Sequence, residues 1–111
     1  MANLLTELPE NLCEEVFETL IRSPFCRIER IVSFGHSTAE GQWYDQDEDE
    51  WVVLLSGSAV LAYDDGSRLA LAPGDYVNIP ARVRHRVEAT DPAIPSVWLA
   101  VFYGASAQVD G

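Results

Sequence analysis

Two ionisable side chains lie where strand-like segments meet turns, and their types suit metal binding or proton transfer. Glu50 opens the run Glu50-Trp51-Val52-Val53-Leu54-Leu55-Ser56-Gly57, and His85 lies within Arg82-Val83-Arg84-His85-Arg86-Val87. Six residues separate Glu50 from Gly57, and five separate Gly74 from Pro80. In an extended chain, alternate side chains share a face. His85 then sides with Val83 and Val87, and Glu50 with Val52 and Leu54, so both polar groups are expected to point into the core. A buried carboxylate is costly unless it is paired, hydrogen-bonded or bound to a cation. Two such groups on separate strands are therefore expected to meet, with or without a metal between them. The plainer alternative is a hydrogen-bonded core histidine and a glutamate solvated at the end of its strand.

The elements that must position these groups are short and β-like. Residues 2–14 read as an irregular arm, with Pro9 interrupting any helix. Glu14 to Arg22 fits either a helical stripe (Leu12, Val16, Phe17, Leu20, Ile21) or a strand, and its β-branched and aromatic content favours the strand. Ser23-Pro24 is a turn signal, and Cys26 to Phe34 alternates as a second strand. Gly35 to Gly41 reads as a loop, and the five acids among residues 45–50 predict an exposed loop leading into a strand over Trp51–Leu55. Ala59–Tyr63, the hairpin signal Asp64-Asp65-Gly66 and Arg68–Ala72 follow. Tyr76–Ile79, Val83–Glu88 and Ser96–Tyr103 bring the expectation to eight strands, with Thr90–Pro95 as a loop. Many short strands broken by Gly, Pro and Asp turns predict an all-β sandwich or barrel in one domain.

The two spacings resemble the signature motifs of the cupin family, written G-x5-H-x-H-x(3,4)-E-x6-G and G-x5-P-x-G-x2-H-x3-N. Gly74, Pro80 and His85 match the second motif, with Arg82 at its later glycine and Ala89 at its asparagine. Only Glu50 and Gly57 match the first. Its histidine positions fall on Tyr44 and Gln46, or on Trp43 and Asp45 with the longer spacing. The resemblance implies a double-sheet β-barrel, or jelly roll, over residues 27–103. Residues 1–26 would form the arm and first strand or short helix, and 104–111 a tail. It implies a divalent metal (iron, manganese, nickel or zinc) held by a modified set: His85, Glu50, Gln46 and Tyr44. Amide and phenol are poorer partners than imidazole for first-row metals, so weaker binding is expected. Trp43, Asp45 and Trp98 are expected around a small-molecule pocket, and a homodimer is the family expectation. A metal-free binding or sensing module, and a metal-free acid–base isomerase or epimerase, are the rival readings.

Composition narrows the partners. The 111 residues hold 18 acids against 7 bases, a formal charge of −11, and every base is an arginine. Such a surface repels phosphate backbones and anionic lipid, so neither nucleic acid nor membrane is expected as a partner. Arg82, Arg84 and Arg86 suit either an anion clamp or pairing with the protein's own acids. Two cysteines, Cys13 and Cys26, without CxxC spacing fit reduced thiols, and residues 1–9 lack the features of a signal peptide. The expected location is cytoplasmic.

Overall fold

The computed structural model describes residues 2–9, 14–39 and 41–104; Cys13 and Leu12 lie outside the described residues. Eight strands follow in order: β1 (Val16–Ser23), β2 (Cys26–Ser33), β3 (Asp49–Ser56), β4 (Ala59–Tyr63), β5 (Arg68–Leu71), β6 (Tyr76–Ile79), β7 (His85–Thr90) and β8 (Ser96–Tyr103). No helix among the described residues is long and apolar enough to cross a membrane. One sheet has the order β1-β2-β8-β3-β6 and the other β5-β4-β7, with antiparallel pairing throughout. This is the all-β double-sheet architecture of a jelly roll. Apolar residues of both sheets interlock between them, including Ile31, Val52, Leu54, Leu61, Ile79, Trp98 and Phe102. Residues 16–23 are strand rather than helix, and β1 pairs along its length with β2, so the barrel wall begins before residue 27.

Three local features position the site. First, β3 begins at Asp49, two residues ahead of the expected Trp51. The acidic run is therefore not all loop. Asp49 pairs with Tyr103 and its carboxylate accepts the Ala81 N–H at 2.8 Å. Glu50 pairs with Phe102 on one side and Ile79 on the other, which overrides the preference of charge for solvent.

Second, β7 starts at His85 rather than Val83, because residues 80–83 form a turn in which Val83 N–H donates to the Pro80 carbonyl at 3.2 Å. Arg82 in that turn has φ +70°, a left-handed conformation that suits glycine. Arg82 thus carries the backbone geometry of the motif's missing glycine. Third, Gly57 has φ +84°, and a Cβ there would lie 2.6 Å from the Ser96 Cα. The turn after β3 therefore packs backbone against β8 at a distance only glycine permits.

The N-terminal arm is fastened by Arg30 of β2, which is 7% exposed. Its guanidinium donates to the carbonyls of Leu4, Thr6 and Glu7 and to the Glu18 carboxylate at 2.6 Å. An inward-reading alternation of β2 is thereby split: Ile31 faces the barrel and Arg30 lies under the arm.

Candidate functional site

Glu50 comes from the five-stranded sheet and His85 from the three-stranded one, and they meet in the barrel interior. Both are buried, at 8% and 4% exposure. His85 Nε2 lies 3.6 Å from Glu50 Oε1. That is longer than a hydrogen bond, so the pair attracts as an ion pair when His85 carries its second proton. On the other side of the ring, Nδ1 lies 3.0 Å from the Val83 carbonyl, which fixes Nδ1 as a donor. Gln46 Nε2 donates to Glu50 Oε1 at 3.1 Å. Tyr44 forms a two-way backbone bridge with His85, with N···O distances of 2.7 and 3.2 Å, and its ring sits 5.5 Å from the imidazole. The Gln46 carbonyl accepts the Arg82 N–H at 2.8 Å, so the segment 44–46 is laced to the start of β7.

These groups line a cavity of about 70 Å³, large enough for several waters or a small ligand group. Trp98, Phe102, Val52, Leu61 and Ile79 form its apolar walls. Phe17 and Tyr44, 53% and 38% exposed, stand where it opens to solvent. Glu15 also lines it, and its carboxylate accepts a 2.5 Å hydrogen bond from the Ser33 hydroxyl. Sequence reasoning missed Glu15, because a carboxylate just ahead of a strand has no spacing signature.

The structure thus brings together Tyr44, Gln46, Glu50, His85 and Trp98. It leaves Trp43 and Asp45 outside the cavity. Trp43 stacks against the Arg84 and Arg86 guanidiniums, 6.0 and 5.8 Å from its ring, and Asp45 pairs with Arg82 at 3.3 Å. Arg84 faces Asp64 at 3.8 Å and Arg86 faces Glu88 at 3.9 Å, so these arginines pair with the protein's own acids. His36 is held locally, its Nδ1 accepting the Phe34 N–H at 2.9 Å.

Electrostatics favour a protonated histidine and a neutral phenol. Burial alone lowers the His85 pKa, but Glu50 and the Val83 carbonyl outweigh it and leave the net value raised. The Tyr44 pKa is pushed up by burial and then by the Glu15 charge, with Glu50 adding to it and a hydrogen bond with Thr38 opposing it.

A metal at this position would need donors that these residues supply only in part. His85 and Glu50 are sound ligand types. The Gln46 amide turns its nitrogen, a donor, towards Glu50, and burial disfavours the phenolate that Tyr44 would have to become. Catalytic metal sites ordinarily rest on three strong protein ligands. No group of three or more His, Cys, Asp or Glu side chains among the described residues is placed to hold one. The donor set does not fit a tightly held resident metal.

Comparison with known proteins places this architecture in a family. The cupin-domain family model matches residues 31–102, well over half of the chain, and the protein belongs to the cupin family. A Ralstonia eutropha protein, provisionally named a mannose-6-phosphate isomerase, is 40% identical, with a TM-score of 0.90 over 95% of this chain and 98% of its own. A Thermus thermophilus protein (19% identity, TM-score 0.77, covering 94% of this chain and 96% of its own) shares the fold. So does a cupin-superfamily protein of Desulfitobacterium hafniense (18%, TM-score 0.72, covering 87% and 84%). No curated protein matches the chain.

Proposed function

We propose that this cupin binds a small polar molecule in its barrel without a resident metal, and that His85 and Glu50 are the groups that hold it and exchange a proton with it. The observation that carries the reading is Glu50 Oε1, which faces both His85 Nε2 at 3.6 Å and Gln46 Nε2 at 3.1 Å at the edge of the cavity. A raised histidine pKa beside a carboxylate suits general acid–base work near neutral pH. Tyr44, neutral and in the same cavity, is a candidate second acid.

The Ralstonia relative's name points to isomerisation, which needs a proton moved between adjacent carbons, and the histidine–glutamate pair suits that step. The phosphate in that name finds no counterpart here, since no arginine is among the described residues lining the cavity. A proton-transfer enzyme acting on a small uncharged or cationic substrate is therefore the preferred form of the proposal, and a ligand-sensing module is its non-catalytic form. A cytoplasmic location belongs to the same proposal and rests on the cysteine usage.

Elemental mass spectrometry tests it, on untagged protein purified without chelator and reconstituted with excess iron, manganese, nickel or zinc. The expected result is metal far below one per chain, unchanged by His85→Ala. One metal per chain that disappears in the His85→Ala protein would instead make His85, Glu50, Gln46 and Tyr44 a ligand set.

A further inference from the structure

The polar groups of the cavity are gathered at one end of it, and strand register shows how. Glu50 and His85 meet across the two sheets, 3.6 Å apart, with Gln46 bonded to Glu50 and Tyr44 bridged to His85 through its backbone. Alternate residues of a strand share a face, so the next inward positions are Val52 on β3 and Val87 on β7. Val87 pairs with Leu61 of β4. Further along β3, Leu54 pairs with Trp98 of β8, and the same inward row runs on through Ile31 to Phe17.

Val52, Val87, Leu61, Trp98, Ile31 and Phe17 all line the cavity, and over roughly 13 Å of strand they present it with carbon. The Trp98 N–H, which has no hydrogen-bond partner among the described residues, is itself enclosed and gives the cavity no polar surface. Among the described residues, Glu15 adds the one polar side chain to the lining beyond the His85 cluster. Its carboxylate already accepts the Ser33 hydroxyl at 2.5 Å.

A molecule that fits must match this division. His85 Nδ1 is committed to the Val83 carbonyl, which leaves Nε2 facing Glu50 Oε1 from beyond hydrogen-bond distance. One hydroxyl can bridge the two, donating to the carboxylate and accepting from the imidazolium. A second hydroxyl set against Val52, Val87 or Leu61 would lose its water and gain no partner. Carbon in the same place is favoured, because it leaves water.

We infer that the barrel takes a small uncharged molecule with one oxygen function, held between His85 and Glu50, and an apolar body lying along Val52, Val87, Leu61 and Trp98. This rests on the metal-free reading of the site and names the ligand class for it. Polyhydroxylated molecules are disfavoured by the same walls.

Titration of isotope-labelled protein with the straight-chain alcohols from ethanol to 1-pentanol, and with 1,5-pentanediol, tests the inference, the amide shifts of β3 and β7 reporting binding. Each added methylene is expected to tighten binding about three- to fourfold. The diol, equal in length but polar at both ends, is expected to bind about tenfold more weakly than 1-pentanol. His85→Ala should weaken every alcohol by a common factor and leave the gain per methylene intact. Val87→Thr keeps the wall's volume but adds a hydroxyl, so it should shrink that gain and narrow the gap between alcohol and diol. Thermal melts show whether the variants fold, and the comparison on the parent protein decides the inference without them. Equal binding of alcohol and diol, or affinity indifferent to chain length, overturns it. So does an absence of alcohol binding; if ethylene glycol or glycerol then binds and is lost in His85→Ala, the proposed function stands without the inference. Stoichiometric metal lost in His85→Ala would remove that reading itself.

Discussion

His85 is held at both ring nitrogens, by a carbonyl on one side and a carboxylate on the other, and this sets the sign of a pH effect. Its folded pKa is raised, so the folded state keeps the proton to higher pH than the unfolded chain does. The resulting stabilisation is fully present below the ordinary histidine value of about 6.5 and is lost as pH rises through the raised folded value. Urea denaturation across this range should show stability falling with rising pH, and His85→Gln should flatten that part of the profile. A profile unchanged by the substitution would mean that the imidazole and Glu50 are not coupled. The position of this pair was legible in the sequence, since alternation pointed both residues inward. Glu15 and the orphaned Trp98 N–H were not, because each depends on which side chains lie across the barrel rather than along the strand.

At the scale of elements, two turns carry opposite backbone bargains. Gly57 is confined by Ser96 and by its positive φ, so Gly57→Ala should destabilise by about 2–3 kcal/mol, read from a lower urea midpoint. Arg82 adopts a positive φ that costs a non-glycine residue about 1–2 kcal/mol. Its ion pair with Asp45 is exposed and adds little against that. Arg82→Gly should therefore leave stability unchanged or raise it by up to about 1 kcal/mol, since glycine's larger entropy loss cancels part of the gain. A thermal melt showing clear destabilisation would mean that the Arg82 side chain holds the β7 turn in place. Both turns were readable from motif spacing, yet the start of β7 was not. The turn over 80–83 is set by the Pro80–Val83 hydrogen bond, and no alternation pattern reports it.

At the scale of the whole molecule, β1 has no strand partner beyond it among the described residues, with Phe17, Leu20 and Ile21 all at least 46% exposed and Phe25 beyond it 65% exposed. We propose that the homodimer expected of the family forms there. A two-fold antiparallel pairing about Leu20 sets each Glu18 opposite the Arg22 of the second copy, so the edge is complementary to itself. Light scattering is expected to give twice the 12.3 kDa chain mass for the parent protein and the single-chain mass for Leu20→Arg. A monomeric parent, or a dimer indifferent to that substitution, would reject this edge.

The sequence by itself determined the all-β class, the strands from β2 onward and the two inward-facing ionisable groups, because strand periodicity and turn chemistry are local properties of the chain; it left residues 14–22 open between strand and short helix. Only the tertiary structure decided that Asp49 and Glu50 join β3, that Trp98 lines the cavity while Trp43 and Asp45, expected beside it, do not, and that Glu15 lines it too. Those outcomes follow from how two sheets close over one another, which brings together residues far apart in the chain.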